Sequence, residues 1–525
     1  MTLFNKPQFW QKEQHREEVV SVEDISLEDE QDSSKNLEQV QLPFSKCWEL
    51  FWQWKGAKKQ PRSKFFFWYP PEQSKDERYL VFKLDMSIMI YVCLAYFTRY
   101  LDAQNISSAY ISGMKEDLNI TGEQYVWLTQ LFSAGYCTSG AVTTLILTKV
   151  RFSRMIPILE FLWGLMCLLV YRAENFRTVA GLRFVQGVCE GAAWPAIHYA
   201  LGSWYTPKEL GKRTGIYTAS GIAGVVLSGL IQSGLQKSMD GKNGLAGWRW
   251  LFIIDSIITF PIAILGFFVF PDTPENARPR FYLSKEDIQF CKERVKINGA
   301  DRKNNLDLST FKRVFLSYQW YIFVIAWILW CYSGIMSGYM GIVLKALGYN
   351  IYDRNNIPTG ISGVGIVSGI LTGFIVDLTG KRIYVITLCL VFWITGLSII
   401  KAYDVPRGVF IMGYMFCGVS SAVSPIIVGW CNELCREDNQ KRAATIGSLN
   451  LFGGLLSIPF SVKLFNADFA PKFTKGSLAC LITSVLLLFH LFIILFFDRY
   501  QQRKREYISE SYNDEKSDVI STKPA

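Results

Sequence analysis

The feature that most constrains this chain is a recurrence of apolar blocks about 20 residues long, the length of helix that crosses roughly 30 Å of hydrocarbon. Half of the 525 residues are hydrophobic, but they do not follow the alternating or 3.6-residue patterns of a soluble multidomain chain. Blocks of this kind predict an all-α polytopic membrane protein. Twelve transmembrane helices are expected, near residues 84–105, 124–147, 155–171, 179–203, 214–236, 250–270, 319–342, 358–378, 383–402, 408–432, 443–465 and 477–497. A longer polar stretch separates the sixth from the seventh, which suggests two pseudo-symmetric six-helix halves, the layout of a duplicated transporter. The expected segments are a cytoplasmic tail over 1–79, a first bundle over 80–270, a cytoplasmic loop over 271–317, a second bundle over 318–497 and a cytoplasmic tail over 498–525.

The net charge of +10 does not point to nucleic acid, because the basic residues gather in short connections on one side of the spans. That asymmetry sets orientation and puts both termini inside. No apolar signal segment precedes residue 41, and residues 1 to about 40, rich in Glu, Asp, Gln and Ser, read as disordered. Ser45–Pro71 interleaves Lys and Arg with Trp and Phe, a composition that suits the headgroup region. In the central loop, Ser284 is placed to cap a short amphipathic helix. The cysteines within the spans stand at no metal-ligand or disulfide spacing. With three histidines in all and no P-loop or nucleophile elbow, the sequence offers no enzyme constellation, metal site or cofactor site. Coupling to an ion gradient is then the economical source of energy. The sequon at Asn119 falls in the first external loop, while the one at Asn105 lies at a span end and is expected to stay buried and unused.

The fourth span carries Arg183 and Glu190, seven residues apart and so on one helix face about 10 Å apart. Charges at membrane depth cost roughly 2.5–3.5 kcal/mol each, so this face is expected to turn away from lipid. One reading is a structural ion pair with a neighbouring helix. The other has Arg183 attracting an anionic substrate and Glu190 exchanging a proton, with His198 nearer the cytoplasm as a relay candidate.

Between spans 8 and 9 stands Gly373-Phe-Ile-Val-Asp377-Leu-Thr-Gly380-Lys381-Arg382. Gly373 would allow close helix approach, Gly380 a tight turn, and Asp377 a cap or an ion pair. The loops after spans 4 and 10 share an acid followed by a basic pair, with Glu209 and Arg213 in one and Asp438 and Arg442 in the other. These groups read as a conformational latch rather than a substrate site.

The pattern from Gly373 to Arg382 resembles the G-x-x-x-D-x-x-G-[RK]-[RK] loop of the major facilitator superfamily, although Thr148–Met155, its first-half counterpart, lacks the Asp and both glycines. Arg183 to Pro195 is similar to the fourth span of the anion:cation symporter branch, and Tyr100–Asn119 to the first span of the allantoate permease family. His198–Tyr205, Asn243–Phe267, Arg354–Ser368 and Ala470–Gly476 look most like fungal pantothenate/proton symporters, then biotin symporters. Many relatives carry Arg directly after the Asp of span 1; here Ala103 follows Asp102, leaving Arg99 as the nearby cation. The resemblance implies proton coupling at Glu190 and Asp102. It also implies substrate contacts drawn from Arg183, Arg99, Asn105, Tyr332, Tyr339 and Asn450. It implies a monomeric plasma-membrane symporter for a small organic anion, pantothenate before biotin or allantoate; the alternative from another class is a nutrient sensor that signals without transport, which the short tails disfavour. In the phrase Gly247-Trp-Arg-Trp-Leu-Phe252, an interfacial anchor is the physical expectation. The glycines of span 5 (Gly221, Gly224, Gly229, Gly234) and the Gly453-Gly454 pair are read as close-packing positions.

Overall fold

The computed structural model describes residues 73–146, 151–297, 308–379, 381–435 and 439–521. Twelve long helices are described: α1 (Lys75–Asp117), α2 (Gly122–Ile146), α3 (Phe152–Leu169), α4 (Phe176–Trp204), α5 (Pro207–Ser238), α6 (Gly247–Val269), α7 (Tyr318–Ala346), α8 (Thr359–Thr379), α9 (Arg382–Ala402), α10 (Arg407–Leu434), α11 (Asn439–Leu464) and α12 (Thr474–Ser521). Among the described residues there are no strands, only one isolated bridge between Arg280 and Leu283. The compact unit Arg62–Leu491 carries the site described below. Of the separate unit, Met1–Pro61 with Phe492–Ala525, the described part is helical to Ser521.

Two boundaries differ from expectation. Helix begins at Lys75 rather than in the eighties, because Ser74 accepts a hydrogen bond from the Glu77 amide at 3.2 Å and Asp76 and Glu77 suit the first turn. At the other end helix continues beyond the expected end of the last span at 497 as far as Ser521, through a segment whose Gln, Arg, Lys and Glu are good helix formers. The readings of residues 1–40 and Ser45–Pro71 lie outside the described residues.

Ten described helices are long and apolar enough to cross a membrane, and α2 and α4 fall short. Those two pack against each other along their length. Their contact depends on small residues: a Cβ on Gly187 or Gly191 of α4 would strike the carbonyl of Phe132 or Tyr136, and one on Gly135 would come within 2.5 Å of the Phe184 carbonyl. α5 packs on α1 in the same way through Gly221 and Gly224, and Gly453 and Gly454 meet Trp327 and Cys137. A Cβ added at Gly229 would come within 2.7 Å of the Asn355 carbonyl, whereas Gly234 faces open space and is not a packing glycine.

Helices α1 to α6 pack among themselves, as do α7 to α11, and the two sets meet along α2–α11 and α5–α8. At one end they are tied together. α1 breaks there, with Ser112 at φ −106° and Gly113 at φ 123°, and the turn leaves the carbonyls of Tyr110 and Ile111 able to accept from Lys345 and Arg354, each at 3.3 Å. Lys345 also pairs with Glu116 at 2.7 Å, Asn355 donates to Ser112 at 3.0 Å, Ser233 to Asn356 at 2.7 Å, and Lys115 lies 3.6 Å from Asp468. α7 is interrupted near this end by a tighter turn over Ile335–Tyr339, the kind of break that often marks a hinge.

Candidate functional site

The buried charges converge where α1, α2 and α4 meet. Arg183 Nη1 donates to Gln186 Oε1 at 2.9 Å, and Gln186 Nε2 donates to Glu190 Oε1 at 3.0 Å. Residues at i, i+3 and i+7 share a helix face, so Gln186 bridges the two charges that the sequence left unconnected. All three are at most 2% exposed. From α1, Arg99 Nε approaches the other Glu190 oxygen at 3.7 Å. Its guanidinium is held against the rings of Tyr100 and Tyr136, both at 4.5 Å, and of Tyr96 at 5.5 Å. Arg183 lies 4.4 Å from the Phe132 ring and 3.5 Å from the Asp102 carbonyl. A buried anion here therefore has one guanidinium at contact distance and a second relayed through an amide.

Behind this row sits a carboxyl pair that sequence reasoning half missed. Oxygens of Asp102 and Asp255 and the sulfur of Cys167 lie within 4.8 Å of one another, all buried. Asn105 Nδ2 donates to Asp255, and Ser228 donates to Asn105 Oδ1 at 2.7 Å, which fixes the amide orientation. Cys167 donates to the same Asp255 oxygen at 3.3 Å, while neither carboxyl oxygen of Asp102 has a hydrogen-bond partner. With two hydrogens already donated to one Asp255 oxygen, the set is poorly arranged to hold a metal ion. A third acid, Glu160 on α3, accepts from Tyr91 at 2.6 Å. A lone acid within an apolar span is itself a functional signal, and Asp255 and Glu160 were visible by that criterion.

Other candidates fall elsewhere. Asn105 is buried, donating to Asp255 and accepting from Ser228 in this state. Tyr332 donates to the Leu456 carbonyl at 2.8 Å and stacks on Phe460. Tyr339 is buried among Tyr125, Phe465 and Phe473. Both tyrosines are packing groups in this state. Asn450 is half-buried, and its carbonyl lies 3.7 Å from the Cys137 sulfur. His198 stands edge-on to Tyr217, eight residues beyond Glu190 and so about 12 Å along the axis, outside the charged row.

The sequence profile described as Major Facilitator Superfamily matches residues 92–462. The chain belongs to the major facilitator superfamily. Superfamily relatives include the MFS transporter PfmaC of Pestalotiopsis fici, 38% identical over 78% of each chain. The pantothenate transporter FEN2 of Saccharomyces cerevisiae is 33% identical over 78% of this chain and 82% of its own. The pantothenate transporter liz1 of Schizosaccharomyces pombe is 31% identical over 84% and 86%. Among solved structures, the proton:xylose symporter XylE of E. coli bound to 6-bromo-6-deoxy-D-glucose superposes with a TM-score of 0.62. It is 15% identical and covers 79% of this chain and 96% of that one, a likeness of fold alone.

In this superfamily member the latch candidates are distributed unevenly. Arg213 forms a two-pronged pair with Asp85 at 2.6 Å for each bond, and Tyr205 donates to the same carboxylate at 3.0 Å. A wide helical turn over Asp85–Met89 carries that carboxylate. Glu209 closes a capping box with Thr206 and accepts from Arg294 at 3.0 Å and from Gln73. Arg294 comes from the Lys285–Ile297 helix, where Ser284 accepts from the Asp287 amide at 3.1 Å as its cap. That helix is also held by Lys83, 2.9 Å from Asp287. Burial opposes ionisation of Asp287, but the hydrogen bonds from Lys83 and the Ser284 amide prevail and hold its carboxyl below the ordinary value.

In the second set of helices, Arg382 pairs with Glu433, the Lys381 ammonium lies 5.6 Å from the Tyr384 ring, and Arg442 is half-buried. Gly373 is exposed with nothing within 4 Å of a Cβ, so in this state it is not a close-approach position. Gly380, Asp438 and the Asp377 side chain lie outside the described residues. Arg249, expected as a lipid anchor, instead pairs with Asp117 at 3.0 Å and caps the carbonyls of Tyr171 and Ala173, while Trp248 is fully buried. Asn119 is exposed, and Asn105 is buried.

Proposed function

We propose that this transporter is a proton-coupled importer of pantothenate, working as a monomer in the plasma membrane with both termini cytoplasmic. It is read as a carrier, not an enzyme, with Asn119 a glycosylation site on the outer face. The observation that carries the coupling is the contact between Arg99 and Glu190. A buried cation needs a counter-charge. When Glu190 is ionised it serves Arg99. When Glu190 takes a proton, Arg99 loses that partner and becomes available to a substrate carboxylate, with Arg183 adding attraction. Proton and anion then enter as a neutral pair, so reorientation carries no uncompensated buried charge. A second proton on either of the neighbouring carboxyls, Asp102 or Asp255, would keep the surrounding site near neutrality.

With the tied end taken as outer, the site is closed to the outside in this state. Rocking of the two helix sets would break the ties to Tyr110 and Ile111 and open the outer face. The names of the relatives support pantothenate as the passenger. The test is labelled pantothenate uptake against an imposed pH gradient in cells lacking their own carrier. Gradient-dependent accumulation is expected, competed weakly by biotin and allantoate. Biotin accumulation without pantothenate accumulation would transfer the reading to biotin, and uptake indifferent to the gradient would end the proton-coupled reading.

A further inference from the structure

At the end of the first helix set opposite the ties, a cavity of about 220 Å³ opens between the start of α3 and the segment that follows α6. Arg151 and Arg154 line it from the start of α3, Arg278 and Arg280 from that segment, and Phe267 from the last turn of α6. Four arginines thus share the space with a single acid, Asp272, and that acid is already engaged. Its Oδ1 accepts from the Ser153 amide at 3.0 Å and caps the start of α3. Its backbone carbonyl accepts from Trp204 at 3.0 Å, which holds the segment against α4. Arg280 is engaged too, donating to the Phe267 and Phe268 carbonyls at the end of α6. Arg151, Arg154 and Arg278 are exposed and pair with no carboxylate among the described residues. Like charges gathered around one cavity repel. A multiply charged oxyanion removes that repulsion and matches the guanidinium fork.

The apolar side of the cavity points to the source of the oxyanion. Ile257, Ile264 and Phe268 are 59%, 51% and 65% exposed and recur at intervals of seven and four residues, so they form one outward stripe along α6. The stripe ends beside Phe267, at the cavity wall. An acyl chain lying on it would bring its phosphate to the level of the arginines. The cavity is smaller than the roughly 300 Å³ that encloses a drug-sized molecule, which suits a headgroup with its chains left outside. Basic pockets of this kind at the inner membrane face take phosphorylated headgroups. We propose that the cavity binds the phosphate of an anionic lipid through Arg151, Arg154 and Arg278. A phosphate monoester, with a charge of about −1.5 to −2, suits three arginines better than a singly charged phosphodiester, so the class is a phosphorylated inositol lipid. Under the proposed orientation it belongs to the inner leaflet.

The experiment titrates the full-length protein in phosphatidylcholine nanodiscs at about 0.15 M salt, reading affinity and Tm. The probes are a short-chain phosphoinositide with one monoester phosphate, short-chain phosphatidylserine, soluble inositol phosphate and inorganic phosphate. The wild type is expected to bind the phosphoinositide at least about tenfold more tightly than each of the others. Arg154→Gln with Arg278→Gln should weaken that binding at least about tenfold. Lys75→Gln with Lys285→Gln removes two exposed cations outside the cavity and should leave it within about twofold. Equal losses in the two double variants would mean diffuse attraction to a basic face and overturn the site. Equal wild-type affinity for phosphoinositide and phosphatidylserine overturns it as well, and that comparison stands even if the arginine variant fails to fold. Inositol phosphate or inorganic phosphate binding as tightly as the lipid would overturn the lipid and leave a site for soluble phosphate. None of these readouts depends on what the protein carries, so failure here leaves the transport reading intact.

Discussion

Arg99 and Glu190 face each other across the α1–α4 contact at 3.7 Å, near enough to neutralise one another and too far for a hydrogen bond. A pair held by charge alone is released when the carboxylate takes a proton, and that property links proton to passenger. Glu190→Gln should leave Arg99 permanently available. Substrate binding should persist within about threefold of wild type, while the stimulation of uptake by external acid disappears, a loss of at least ~10-fold in accumulation. Labelled uptake across pH 5–8 with surface expression checked measures this, at about half-unit intervals. Wild-type acid stimulation in Glu190→Gln would remove Glu190 from the coupling.

Asp85 and Arg213 form a different kind of pair, buried and joined by two hydrogen bonds. Asp85→Asn removes the charge opposite the buried guanidinium and should destabilise the folded protein by about 3–5 kcal/mol, read as a fall in Tm in detergent. Replacing both with apolar residues, Asp85→Leu with Arg213→Met, should recover most of that loss. If the pair is a latch rather than a brace, the recovered double variant will still transport abnormally. Wild-type transport in that variant would assign the pair to stability alone.

The α2–α4 seam makes a paired prediction about glycine. Gly191→Ala drives a methyl group into the Tyr136 carbonyl and should cost about 1–3 kcal/mol through forced separation of the helices. Gly202→Ala, on the same helix with nothing within 4 Å, should be neutral or stabilise by about 0.4–1 kcal/mol. Surface yield and Tm of the two variants decide it. Equal behaviour would mean that the seam tolerates repacking.

The Lys83–Asp287 contact fixes a pH dependence for the docking of the Lys285–Ile297 helix. The Asp287 carboxyl is held below its ordinary value when folded. Its contribution is therefore complete above the unfolded value of about 3.9 and lost only as pH falls through the lower folded value. Between about pH 5 and 8 the docking should be insensitive to pH. Both side chains are partly exposed, so Asp287→Asn should weaken it by less than about 1 kcal/mol. Hydrogen exchange of this helix is the readout. A steep loss of protection between about pH 7 and 5 would contradict the assignment.

The parts of the site legible in the sequence were those that depend on one helix. Arg183 and Glu190 share a face because of helical periodicity, and Ser284 caps the loop helix because a cap is a local signal. Gln186 escaped notice because an amide in an apolar span has no charge to draw attention. The partnership of Asn105 with Asp255 depends on how α1 meets α6, which no periodicity encodes. Arg249 was misassigned for the same reason: a Trp-Arg phrase at a span end suits a lipid interface equally well until Asp117 is brought beside it. The last helix runs past its expected end because propensity, not hydropathy, governs a polar segment once helix has been started.

Gly113 controls the tied end by conformation rather than by space. At φ 123° it lies where residues with a Cβ are strained, yet its nearest obstacle would be Trp248, at 3.8 Å. The turn it permits leaves the Tyr110 and Ile111 carbonyls free for Lys345 and Arg354. Gly113→Ala should oppose this geometry by about 1–2 kcal/mol, enough to shift the balance between tied and untied states roughly five- to thirty-fold. Under the proposed orientation the shift exposes to the outside a cavity of about 180 Å³ that Gln104, Ser107, Ser337 and Ser362 line where α1, α5, α7 and α8 meet. Ser362→Cys places a thiol on the cavity wall, and an impermeant maleimide added outside should label it at least ~5-fold faster when Gly113→Ala is also present. The same background without Ser362→Cys corrects for the native cysteines. If the labelling rate is unchanged, the bend at Gly113 is a feature of the helix path and the ties draw no strength from it.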